Sequence, residues 1–179
     1  LSAAVLQHPA VAVATGVAHS VDTAMVPVAV LARDEIAAVL LESPDHRLVV
    51  FVPCEDGNWV APGMSGGTRL PTEGVRERRT GDTPLTGVSG RGFCGIGPSG
   101  EPLELGWFAV TGRAAADATE VALISSVDKA TEVIGADGLA FALVRTRMIR
   151  SETGDIPMFE KPEIRVSTTD GRSVPMRLP

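Results

Sequence analysis

The chain has 179 residues, of which 44% are apolar and 21% charged, and its formal net charge is −6. A chain of that length buries about 70% of its unfolded surface, so a core can form without staples. The acidic balance argues against nucleic acid and anionic membrane surfaces as main partners, because both are gripped by basic patches.

The first 25 residues are small and weakly patterned. The uncharged run Pro9–Ala18 is too short to cross a bilayer. No basic region precedes it, so it is not an intact signal peptide. Ala10–Ala18 fits either a short helix or an edge strand. Val26–Arg33 reads as a strand, with Pro27 near its start, where proline is tolerated. In Asp34–Glu42, Ile36, Val39 and Leu40 fit one helical face. A strand is favoured, because Leu48–Pro53 follows at hairpin distance across Ser43-Pro44-Asp45-His46. Asp56-Gly57 then returns the chain into Asn58–Ala61. Residues 1–61 are therefore expected to be an N-terminal segment followed by a β-meander.

Residues 62–102 change character. They hold eleven of the 19 glycines and five of the 13 prolines, with no apolar periodicity. So long a structureless loop is unusual inside a compact domain. The segment reads as a Gly/Pro-rich functional loop, a linker, or a region whose short strands the glycines conceal.

From Leu105 the β signal sharpens. Leu105–Gly112 carries Trp107 and Phe108. Ala118-Thr119-Glu120-Val121 recurs as Ala130-Thr131-Glu132-Val133 at a spacing that suits successive strands. The rival reading places Leu123, Val127, Ala130 and Ile134 on one helical face. Leu139, Phe141 and Leu143 alternate beyond Asp137-Gly138. Ile164 and Val166 lead into Asp170-Gly171, and Val174, Met176 and Leu178 return. Asp-Gly pairs suit the primed turns of hairpins, whose central residues need a positive φ. The fold class predicted is all-β and mainly antiparallel. A β-sandwich or Greek-key arrangement is expected, immunoglobulin-like in general form over residues 103–179. Residues 1–61, 62–102 and 103–179 are the expected parts, unless 1–179 forms one domain.

Two motif matches fail on context. Gly63-Met64-Ser65-Gly66-Gly67 matches GxSxG, but no helix signal follows and all three histidines precede it, against the order of that hydrolase class. A glycine-rich turn is the expected reading. The catalytic alternative rests on Ser65 with His46 as base. Gly90-Arg91-Gly92-Phe93-Cys94-Gly95 matches GxGxxG but lacks the strand–turn–helix context of a dinucleotide site. A looped connection is expected there. The histidines read as surface or capping residues. No metal site and no cofactor is expected.

Arg76, Arg78 and Arg79 form one basic group. Arg145, Arg147 and Arg150 form a second, in which Arg145 and Arg147 share a strand face opposite Val144. Either could meet an anionic patch on a partner. Trp59 and Trp107 are the large anchors, read first as core residues and otherwise as binding residues. Cys54 and Cys94 fit two separate thiols or one disulfide.

The functional expectation is a non-catalytic β module that binds or spaces a protein partner, with the contact residues Trp59, Arg76, Arg78 and Arg79. The alternatives are a serine hydrolase using Ser65 and a structural subdomain of a larger polypeptide. An excess of arginine over lysine points to a GC-rich bacterial genome. The turn pattern resembles accessory β domains of exported or cell-envelope proteins, which favours an extracytoplasmic setting.

Overall fold

A computed structural model describes residues 7–60, 63–69, 81, 83–150 and 157–178. The chain divides into two compact units, Leu1–Arg69 and Leu70–Pro179. Among the described residues strands dominate and every strand pairing is antiparallel, so the all-β expectation holds.

The first unit begins with α1 (Pro9–His19). Pro9 sits at its first position, where its fixed φ suits the helix and no N–H is missed. His8 caps it, its Nδ1 accepting from the Ala10 N–H at 3.3 Å. Ala10, Ala14 and Ala18 recur every fourth residue and are fully buried. Their small side chains let the helix approach the sheet closely.

That sheet contains β1 (Val26–Arg33), β2 (Ile36–Glu42), β3 (His46–Glu55), β4 (Asn58–Trp59) and β5 (Gly63–Thr68). Ala37, Val39 and Leu41 of β2 and Leu48, Val50 and Val52 of β3 form a core with the helix. Every residue of β2 is buried. A continuous apolar run is the signature of a strand covered on both faces, which explains its helix-like spacing. Asp56 and Gly57 both have positive φ, 49° and 79°, as a primed hairpin turn requires.

The second unit contains β6 (Leu85–Phe93), β7 (Leu105–Ala114), β8 (Ala118–Ile124), β9 (Lys129–Val133), β10 (Leu139–Arg150), β11 (Pro157–Phe159), β12 (Glu163–Thr168) and β13 (Ser173–Met176). They form two four-stranded sheets, ordered β11-β10-β7-β6 and β13-β12-β8-β9. Phe108, Val110, Ala142 and Val144 of the first share a core with Val121, Leu123, Ile164 and Val166 of the second.

Four local expectations are corrected. Strands β5 and β6 both lie within segment 62–102. Gly63–Gly67 is therefore strand, not turn, and most of the GxGxxG stretch is strand, not loop. Asp137-Gly138 does form a turn, with Gly138 at φ 70°. It joins β9 of one sheet to β10 of the other, so it closes no hairpin. The alternation in β10 does not leave one face polar. Ala140, Ala142 and Val144 face the shared core, and Leu139, Phe141 and Leu143 on the opposite face are buried as well. The helical rival over Leu123–Ile134 fails, because β8 and β9 pair across Ser125–Asp128.

Candidate interaction surface

The GxGxxG glycines serve packing. A Cβ on Gly90 would lie 2.6 Å from the Phe108 ring, and one on Gly92 would run into the Phe159 ring. Gly106 is equally constrained, since a Cβ there would lie 2.7 Å from the Phe93 carbonyl oxygen and 2.8 Å from the Phe159 ring. The glycines form the floor on which Phe159 lies, edge-on to Phe108 at 6.2 Å between centroids. Glycine in a strand often marks such a close approach.

Ser65 and His46 belong to one antiparallel pair. Ser65 opposes Val49 and His46 opposes Thr68. Three residues of ladder separate them, roughly 10 Å at the usual rise. Ser65 lies mid-strand, not on a strand-to-helix turn. His46 is exposed, with Nδ1 3.9 Å from an Asp22 oxygen. The Asp22 carboxyl is held below its usual pKa by the Ala24 N–H first and then the Ser43 hydroxyl. His19 places Nε2 3.0 Å from the Met25 carbonyl oxygen. Among the described residues, no group of three His, Cys, Asp or Glu could hold a metal ion.

Trp59 is half-buried, packs against the helix–sheet core and meets the His8 ring edge-on at 4.9 Å. Arg76, Arg78 and Arg79 lie outside the described residues. Cys54, in the first unit, and Cys94, in the second, are each a free thiol. The single Cys94 S–H has two acceptors in range, the carbonyls of Gly95 and Leu103, at 3.2 and 3.3 Å from Sγ. Burial pushes its pKa up, which disfavours a nucleophilic thiolate.

The arginines on β10 fare differently. Arg145 opposes Trp107 on β7, and Trp107 opposes Phe93 on β6. The next same-face row pairs Arg147 with Leu105. The one after pairs Ile149 with Met158. Side chains two apart on a strand share a face, so these seven residues form one strip. Arg145, Trp107 and Phe93 are half-buried. Leu105, Ile149 and Met158 are 39%, 49% and 57% exposed, and Arg147 is exposed beside them.

The strip is anchored from behind. The Arg145 N–H donates to Asp128 Oδ2 at 2.9 Å, and its carbonyl accepts from Ser125 Oγ at 2.7 Å. These peptide groups point away from β7, which makes Arg145 and Trp107 a non-hydrogen-bonded pair. Side chains approach closest in such pairs. The Arg145 guanidinium carbon accordingly lies 4.9 Å from the Trp107 ring centroid. Glu160 ties in the following segment, accepting from the Ser126 hydroxyl at 2.6 Å. Its carbonyl accepts from the buried Thr146 hydroxyl at 2.7 Å.

Sequence reasoning had paired Arg145 with Arg147 on one face. It missed Phe93, Ile149 and Met158, which join only through strand register. No protein-family model, no curated protein and no solved structure matches the chain. No helix among the described residues is long and apolar enough to cross a membrane.

Proposed function

We propose that this protein is a non-catalytic β-sandwich module that binds a protein partner through the strip of Phe93, Trp107, Arg145, Leu105, Arg147, Ile149 and Met158. The observation that carries this reading is the chemistry of the strip. Two arginines, a tryptophan and exposed apolar side chains stand together on a rigid sheet face. Arg and Trp dominate the energetics of protein interfaces, and Met and Phe are enriched in them. The partner suited to it is a protein segment that sets carboxylates beside apolar side chains. A local positive pair on a chain of net charge −6 supplies the complementarity. An exported or cell-envelope setting remains the favoured context on composition.

The reading is tested by selecting binders from a random peptide library on the wild-type protein. Each selected peptide is then assayed against Arg147→Glu and Met158→Ser. Acidic, apolar peptides that lose at least tenfold in affinity on both variants support it. Peptides that bind the variants as they bind wild type overturn it. Both positions are exposed, so circular dichroism should show an unchanged fold.

A further inference from the structure

Met158 of β11 lies directly across from Ile149 of β10. Its outward direction is fixed by its neighbour. Phe159 lies over Gly92 and Gly106 and meets Phe108 edge-on at 6.2 Å. Successive side chains of a strand point to opposite faces, so Met158 faces out. The segment is also held just beyond β11. The Glu160 N–H donates to the Arg147 carbonyl at 2.9 Å, and the Glu160 carbonyl accepts from the Thr146 hydroxyl at 2.7 Å. Met158 is 57% exposed, whereas Met25 is 2% exposed and Met148 and Met176 are half-buried. The fifth methionine, Met64, is 45% exposed and belongs to the first unit. An oxidant must reach the sulfur, so an exposed thioether reacts before a buried one.

We propose that Met158 is a modification site at which a hydroperoxide, by oxidising the thioether, weakens partner binding; this rests on the strip being the binding surface. The sulfur attacks one peroxide oxygen. An S–O bond forms, the O–O bond breaks, and the other oxygen leaves with the proton as water or an alcohol. The thioether loses two electrons and the hydroperoxide gains them. The product, methionine sulfoxide, is polar where the side chain had been apolar, a change that disrupts methionine-bearing interfaces. Arg147 is exposed and is the diagonal neighbour of Met158 across the β10–β11 pair, a spacing that long side chains span. The sulfoxide oxygen can accept from that guanidinium and draw it away from a partner's carboxylate. Phe159 and Glu160 anchor the strand, so the surface changes while the fold stands.

The test treats the full chain with graded hydrogen peroxide and then removes the peroxide with catalase. Oxidation is read by peptide mass mapping. Affinity is read with a methionine-free library peptide that Arg147→Glu weakens. Met158 should oxidise at least fivefold faster than Met25. Affinity should fall at least fivefold in step with Met158 sulfoxide, at an unchanged unfolding midpoint. A methionine sulfoxide reductase with a thiol reductant should restore it. Met64→Leu should lose affinity on treatment as wild type does, whereas in Met158→Leu the ratio of treated to untreated affinity should stay at one. Met158 oxidising no faster than Met25 overturns the inference. So does affinity unchanged at full Met158 oxidation, or lost only together with the unfolding midpoint. An equal loss in treated Met158→Leu overturns it too, since the damage then lies elsewhere, as at Cys54 or Cys94. A library without any peptide weakened by Arg147→Glu overturns the strip reading and this inference together. A strip peptide indifferent to Met158 oxidation overturns this inference alone.

Discussion

Arg145 and Trp107 are direct cross-strand neighbours, with the guanidinium carbon 4.9 Å from the indole centroid. At a half-buried site such a contact contributes about 0.5–1 kcal/mol. A double-mutant cycle of Arg145→Ala and Trp107→Ala, read by urea unfolding, should give a coupling of that size. Additive effects would mean that the two side chains do not interact in solution.

Phe159 and Gly92 predict a second non-additive pair. Gly92→Ala drives a methyl against the Phe159 ring, and overpacking of this kind costs roughly 1–3 kcal/mol. Phe159→Ala removes the obstacle. The Gly92→Ala penalty should fall to a few tenths of a kcal/mol in that background, about the size of an ordinary surface change. Thermal unfolding of the four proteins measures this.

At the β2–β3 turn, Glu42 and Arg47 form an ion pair at 2.9 Å with both side chains about 95% buried. Arg69 approaches the same carboxylate at 3.4 Å. Arg47→Ala should destabilise the first unit by about 3–5 kcal/mol, because a buried carboxylate loses its main partner. Replacing both, as Glu42→Leu with Arg47→Met, should cost much less, since no buried carboxylate is then left without its main partner. Equal losses in the two variants would show that packing, not charge, dominates there.

Asp170 closes the β12–β13 turn. The Thr168 hydroxyl, followed by Arg172, stabilises its carboxylate and lowers the pKa from 3.8 to about 2. The folded value is below the unfolded one. Its contribution to stability is therefore complete above about pH 4 and disappears as pH falls through 2. Carboxyl NMR titration should place the Asp170 midpoint near 2, and Thr168→Val should move it back toward 3.8. A midpoint unchanged by that substitution would remove Thr168 as the main cause.

Much of the strand pattern was legible because these strands obey simple alternation or form apolar runs. Val26–Arg33 and Ile36–Glu42 are such cases. Strands β5 and β6 were illegible because glycine carries no side chain to alternate. Their glycines answer to partners distant in sequence: Phe159 lies over Gly92, 67 positions away. The short helix was ambiguous because its buried face is alanine, which marks a helix weakly by hydrophobicity. At the strip, the two-residue period placed Arg145 with Arg147. Only the β10–β11 register could add Met158 beside Ile149, and only the Ser125–Asp128 turn shows why Arg145 is held in place.

The most direct measurement is amide chemical-shift mapping of the tightest library-selected peptide on isotopically labelled protein. The largest shifts should fall at Phe93, Leu105, Trp107, Arg145, Arg147 and Ile149, with little change at Asp170 or around α1. A library that yields no binder, or shifts centred away from these residues, would contradict it.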